Sequence, residues 1–234
     1  MSRITLQGVS KAYTSGKQAK TLAVADASLD LDEGTCTAIV GPSGSGKTTL
    51  LKIMGTLLAP DEGRVSILGT DPSLLPDAEL AHFRNQTFGY VFQNYALIED
   101  ETAYDNIRLP FLYGPRTTKA DQRASIERIA KQLGISGLLG KRADRLSGGE
   151  KQRVAIARAT VRDQRVILAD EPTGSLDSAN RELVVSLLTG LAKEHGRLVV
   201  IVTHDTYVAQ RCDNTIWLRD GRIRTPRHLG EYAR

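Results

Sequence analysis

The chain has 234 residues, 41% hydrophobic and 25% charged, enough for one large domain with a buried core or two small ones. Its 31 Lys and Arg against 27 Asp and Glu leave a net charge of +4, too mild to argue for a nucleic-acid partner. The longest aliphatic run, 198–202, is too short to span a bilayer, and residues 1–5 hold no apolar signal core, so any membrane role is expected to run through a partner.

Alternation at Ile4 and Leu6, then at Leu22, Val24, Leu29 and Leu31, predicts half-buried antiparallel strands over 3–9 and 21–31. A polar turn, Thr14-Ser15-Gly16-Lys17, joins them. Tyr13, just before that turn, reads on its own as a sheet aromatic. Residues 35–40, apolar and β-branched, predict a buried strand. Cys36 lies within it and reads as an inert buried thiol. Neither Cys36 nor Cys212 has a metal-ligand partner at motif spacing, and a reducing cytosol fits the pair.

Gly41-Pro42-Ser43-Gly44-Ser45-Gly46-Lys47-Thr48 follows directly and matches the phosphate-loop pattern at every defined position. Apolar residues at helical spacing come next, so the setting is strand, glycine loop, helix. Glycines let successive N–H groups point inward at phosphate oxygens, and the helix N-terminus adds partial positive charge. Lys47 is expected to reach the β- and γ-phosphates, and the Thr48 hydroxyl to coordinate Mg²⁺. A dinucleotide fingerprint fits poorly, because its third glycine would fall at Thr49.

Beyond the loop, 64–68 predicts a strand, 77–84 a short helix with Leu80 and Phe83 inward, and 87–92 a strand ending at Gln93. Residues 94–110 are mixed and carry the acidic triplet Glu99-Asp100-Glu101. Ile126, Ile129 and Leu133 predict an amphipathic helix over 118–133. Ser147 caps a further helix that opens with Gly148 and Gly149. A buried strand over 165–169 runs into Asp170 and Glu171, an amphipathic helix covers 179–194, and a buried strand over 198–203 ends at His204. Asp220-Gly221 signals a hairpin, and the polar tail starts at Thr225.

Strands alternating with helices imply a largely parallel sheet, whose ligands bind at the carboxyl ends of its strands. Asp170 is expected to hold Mg²⁺ opposite Thr48, and Glu171, pointing to the other side of an extended strand end, to orient or deprotonate the attacking water. His204 is placed to reach a γ-phosphate, and the Gln93 amide to bind Mg²⁺ or water. Ser147-Gly148-Gly149 is a second anion-binding helix N-terminus. One nucleotide rarely needs two such cradles from one chain, so a two-fold dimer is expected, each protomer's Ser147 segment facing the nucleotide on the other's loop.

Together these motifs resemble the nucleotide-binding subunit of an ABC transporter, over residues 4–223. The run LSGGEKQRVAIARA, from Leu146, is especially specific. The resemblance implies that Tyr13 stacks on adenine, that Gly41 to Thr49 bind ATP phosphates, and that Gln93 forms the Q-loop. It further implies that Ser147 to Gly149 form the signature, Asp170 and Glu171 the metal holder and catalytic acid, Ser175-Leu176-Asp177 the D-loop, and His204 the switch. Glu150 stands where glutamine is more usual.

The implied fold is an α/β P-loop NTPase, a RecA-like parallel-sheet core with an N-terminal antiparallel β subdomain and an inserted α-helical subdomain. One ABC ATP-binding domain would fill residues 1–234, with its core at about 1–93 and 160–224, its helical subdomain at about 94–159 and a tail at 225–234. ATP would close a homodimer and its hydrolysis would reopen it, driving an integral membrane permease that meets the stretch after Gln93. The chain would then be cytoplasmic, peripheral on the inner face of the membrane. Residues 97–102 and 171–178 look most like the group of macrolide exporters, lipoprotein-release complexes and bacteriocin exporters, with 96–99 leaning to the last. A mechanical or signalling complex that moves no substrate would use the same ATPase subunit. ABC proteins that act on nucleic acid carry a long insertion or two nucleotide-binding units, which this chain lacks.

Overall fold

The chain runs through β1 (Ser2–Tyr13), β2 (Thr21–Asp32), β3 (Cys36–Val40), α1 (Lys47–Met54), β4 (Glu62–Ile67), α2 (Asp77–Thr87), β5 (Phe88–Val91) and α3 (Ala103–Leu112). It continues through α4 (Lys119–Gln132), α5 (Gly148–Thr160), β6 (Val166–Asp170), α6 (Ser178–Lys193), β7 (Leu198–Val202), α7 (Thr206–Arg211), β8 (Asn214–Arg219) and β9 (Arg222–Arg224). The computed structural model describes residues 2–14, 21–174 and 176–224. The turn expected at Ser15-Gly16-Lys17, the D-loop's Ser175 and the tail from Thr225 lie outside the described residues.

β2, β1 and β4 form an antiparallel sheet, and β5-β6-β7-β3-β8-β9 a second sheet that is parallel except for β9. Every residue of β3 and β7 is buried, as expected of strands covered on both faces. The pleat divides them. Val166, Leu168, Leu198, Val200 and Val202 pack toward α1 and the antiparallel sheet. Ile167, Ala169, Val199 and Ile201 pack toward α3, α4, α5 and α6. Period-2 alternation thus sends one strand into two cores.

α5 lies close on β5 because Gly89 has no side chain. A Cβ there would sit 1.9 Å from the carbonyl oxygen of Ala159. The mixed stretch 94–110 contains α3, opened by Thr102, whose hydroxyl accepts from the amide of Asp105 at 3.1 Å. Pro110 near its end masks the helical signal, yet falls in the last turn, where few backbone bonds remain to break. α7, six residues after the Asp205 cap, is too short for periodicity to reveal.

Cys36 and Cys212, 176 residues apart in sequence, meet with sulfurs 3.3 Å apart. Both are free thiols. The hydrogen bond with Cys212 and then burial push the Cys36 thiol far above its usual range, consistent with an inert group.

Candidate active site

Four parallel strands bring the site together, because their carboxyl ends share one edge. β3 ends at the glycine loop, β6 at Asp170, β7 just before His204 and β5 just before Gln93. The loop could not be built from other residues. Gly46 has φ 99°, and a Cβ on it would come within 1.9 Å of the Ala23 carbonyl oxygen. Gly41 is confined in the same way by the Leu218 carbonyl at 2.0 Å. Strand β2 and strand β8 therefore press the loop into shape from outside, leaving its inner side for a ligand.

Lys47, only 8% exposed, donates to the carbonyl oxygens of Gly41 at 2.8 Å and Pro42 at 2.9 Å. Burial pushes its ammonium below the ordinary lysine range, while Glu171 and Asp170 pull it back up. No carboxylate forms an ion pair with Lys47 among the described residues, so a buried positive charge faces the cradle with neutral acceptors alone. That arrangement suits phosphate.

The Thr48 hydroxyl donates to Asp170 Oδ1 at 3.1 Å. Burial raises the Asp170 carboxyl, and the Thr48 hydrogen bond opposes that rise. A hydroxyl and a carboxylate side by side are hard oxygen donors of the kind Mg²⁺ takes. Among the described residues no group of three or more His, Cys, Asp or Glu side chains could hold a metal alone. An ion here would need the phosphates of a substrate, which is how Mg²⁺ is usually bound beside nucleotides.

Glu171 parts from Asp170 for a reason the sequence concealed. The extended strand stops at Asp170, and Glu171 turns left-handed with φ 47°. Its amide donates to the Val202 carbonyl at 2.9 Å, which holds that unfavourable backbone in place. The carboxylate then meets His204, Oε1 to Nδ1 at 2.9 Å. Glu171 is 14% exposed and His204 70%, so the acid is sheltered while the imidazole faces outward. His204 is steadied by the next turn, where the Asp205 amide donates to the Thr203 hydroxyl at 3.0 Å and Asp205 caps α7.

The remaining positions lie further out. Gln93 is exposed in a turn directly after β5. Its side-chain nitrogen lies 3.8 Å from where a Cβ on Gly174 would stand, on the Glu171 side of the edge. Tyr13, 47% exposed, ends β1. Asp177 caps α6 through the Asn180 amide at 2.9 Å. Ser147 caps α5 in a full capping box: its hydroxyl accepts from the Glu150 amide at 3.3 Å, and Glu150 Oε2 accepts from the Ser147 amide at 2.8 Å. No hydrogen bond or ion pair joins Ser147, Gly148 or Gly149 to the glycine loop among the described residues.

Two residues have roles that the sequence reading did not assign. Glu150, the departure from the usual glutamine, serves the cap. Asn180 bridges two motifs. Its amide nitrogen donates to Asp177 Oδ2 at 2.8 Å, and its side chain sits so close to Gly149 that a Cβ there would be 2.3 Å from Asn180 Oδ1. An Asx cap over Asp177 was the available signal.

Comparison with known proteins identifies the family. Residues 24–174 match the family model described as ABC transporter. The lipoprotein-releasing system ATP-binding protein LolD of Bacteroides fragilis is 44% identical over 94% of this chain and 99% of its own length. The macrolide export ATP-binding/permease protein MacB 1/2 of Paracoccus denitrificans is 44% identical over 98% of this chain, which spans only 34% of that longer protein. The dimeric structure of the ABC transporter cassette MJ0796 superposes with a TM-score of 0.88 at 39% identity, covering 95% of this chain and 97% of that one. A post-hydrolysis dimer of the same cassette, bound to ADP and Pi, matches with a TM-score of 0.88 at 38% identity. With its family model matched over residues 24–174 and a 44% identical relative covered almost end to end, the chain belongs to the ABC transporter family as one of its ATP-binding and ATP-hydrolysing cassettes.

Proposed function

We propose that the chain is the motor subunit of an exporter or lipoprotein-release system, in which two copies close on ATP and drive a separate membrane permease. The observation that carries this reading is the split site. Lys47, Thr48, Asp170, Glu171 and His204 share one edge, while Ser147, Gly148 and Gly149 stand at the start of α5 with no bond to that edge among the described residues. A second protomer would complete it, as two-fold symmetry makes both sites equal. Tyr13 would take the adenine face. Gly41, Pro42, Ser43, Gly44, Ser45, Gly46 and Thr49 would line the phosphates with Lys47.

In that dimer the partner's Ser147 to Gly149 amides would meet the γ-phosphate from the far side. Thr48 and Asp170 would hold Mg²⁺ with help from Gln93, and the ion when bound would neutralise phosphate charge. Glu171 accepts the proton of the attacking water, and His204, bonded to Glu171, contacts the γ-phosphate and senses its loss. Asp177 lies beside the same interface.

The permease reading rests on a groove of about 430 Å³ lined by Leu57, Tyr90, Phe92, Ala96, Leu109 and Pro110. Leu112, the last residue of α3, and Tyr113 just after it stand exposed, and such uncovered apolar side chains suit a helix of a membrane partner. No helix among the described residues is long and apolar enough to cross a membrane, so attachment at the inner membrane face would come through that partner. The names of the MacB and LolD relatives, macrolide export and lipoprotein release, support an exported lipoprotein or drug-like compound as cargo.

Glu171→Gln tests the sandwich. The variant keeps ATP and is expected to accumulate as a nucleotide-bound dimer by light scattering; a monomer at saturating ATP overturns the split site.

A further inference from the structure

The segment after Gln93 is built in an unusual way. Tyr95 and Ala96 are consecutive non-glycine residues with left-handed backbones, φ 62° and 48°. Such a pair is disfavoured twice over and persists only where its surroundings enforce it. Local bonds hold one end, with the Tyr95 amide donating to the Phe92 carbonyl at 3.0 Å and the Ala96 amide to the Asn94 carbonyl at 2.7 Å. The carbonyls are held from elsewhere. Arg158, in the third turn of α5, donates through one guanidinium nitrogen to Tyr95 O at 2.8 Å and through the other to Ala96 O.

We infer that Arg158 is a positioning residue, which grips the two strained carbonyls after Gln93 and so ties the placement of that glutamine to the helix that begins at Ser147. This rests on the role proposed for Gln93. The planar fork of a guanidinium matches two adjacent carbonyls, which a single ammonium does not. Among the described residues no carboxylate pairs with Arg158, and the loop carbonyls are its hydrogen-bond partners. Downstream the chain is already fastened to the approach to Ser147. The Ala103 amide donates to Lys141 O at 2.8 Å, the Ala143 amide to Glu101 O at 2.9 Å and the Asp144 amide to Glu99 O at 3.1 Å. Asn106, fully buried, bonds both the amide and the carbonyl of Ile98. Residues 98–106 therefore travel with α5, and Arg158 extends that attachment back to within two residues of Gln93. Arg158 also lines the groove proposed for the permease, so a segment seated there would press on the clamp itself.

The test compares Arg158→Met, Arg158→Lys, Gln93→Ala and the Arg158→Met/Gln93→Ala double variant in the full chain. Amide hydrogen exchange over residues 94–98 is expected to quicken about tenfold in Arg158→Met, with exchange inside α5 unchanged. ATPase kcat is expected to fall about tenfold with KM for ATP kept within about twofold, and the double variant to be no slower than Gln93→Ala alone. Arg158→Lys restores part of both readouts, which a collapsed helix would not allow. Unchanged exchange over 94–98, a rise in KM matching the loss in kcat, or multiplicative losses in the double variant overturns the inference. Wild-type kcat in Gln93→Ala overturns the reading of Gln93 instead, while the exchange result still decides the clamp.

Discussion

Lys47 donates to two backbone carbonyls, and both are neutral acceptors. A phosphate oxygen carries charge and makes a stronger, shorter bond to an ammonium, so in the proposed site ATP would displace these contacts rather than compete with an ion pair. Lys47→Ala is accordingly expected to weaken ATP binding by about a hundredfold or more in calorimetry, with the fold intact; unchanged affinity overturns the loop assignment. Motif spacing alone carries this residue, since G-x-x-x-x-G-K-[ST] fixes which side chain enters the cradle. Glu171 was harder to foresee. Its identity could be read beside Asp170, but the expected cause of their divergence, a pleated strand end, is replaced by a left-handed turn at φ 47°. Nothing local in Asp-Glu-Pro demands that turn. The Val202 carbonyl, on the neighbouring strand, supplies the reason.

At the scale of elements, α5 joins the chemistry to the core. Its first turn is held by the Ser147–Glu150 capping box. The Ser147 amide holds the Glu150 carboxyl below its ordinary range, with Lys141 assisting. A carboxyl with a depressed folded pKa adds stability that is present above its unfolded value and fades as pH falls through the folded one. Wild type is therefore expected to melt higher than Glu150→Gln at neutral pH, and the gap in Tm to close below about pH 4. A constant gap across that range overturns the charge argument. Further along, α5 rests on β5 through Gly89. Adding one methyl there drives a Cβ into the Ala159 carbonyl, and Gly89→Ala is expected to cost about 1–3 kcal/mol. Denaturant unfolding reads this as a lower midpoint at unchanged slope; an unaltered midpoint would mean that the helix can shift at no cost. α3 shows why such elements elude a linear reading. Its Pro110 and the acidic triplet before it look like loop, and only the Thr102 cap and burial of Ala103, Asn106 and Ile107 against the neighbouring helices make it a helix.

For the whole molecule, the consequential feature is what one chain holds apart. No bond joins Ser147 to the Lys47 loop among the described residues, so in the proposed dimer a defect in one should be repaired by the other from a second copy. Ser147→Arg and Lys47→Ala are each expected to lose ATPase activity. Mixed in equal amounts, they should form heterodimers with one intact site and recover about a quarter of the wild-type rate: half the dimers, one site of two. No recovery on mixing would mean that each chain works within itself. The MJ0796 cassette, 39% identical to this chain, is itself solved as a dimer.

The glycine loop, the places of Asp170, Glu171 and His204 after their strands, the cap at Ser147 and the alternation of strands with helices are all legible along the chain. Each is encoded within a few neighbouring residues, as spacing, turn chemistry or side-chain period. Which of these meet is fixed by the packing of strands and helices far apart in sequence. Thr48 and Asp170 lie 122 residues apart, Glu171 and His204 33 apart, and Arg158 reaches the Gln93 loop across more than 60. Those meetings follow from the order of parallel strands and from helices packed over them, and such long-range burial leaves no signature in any local stretch of chain.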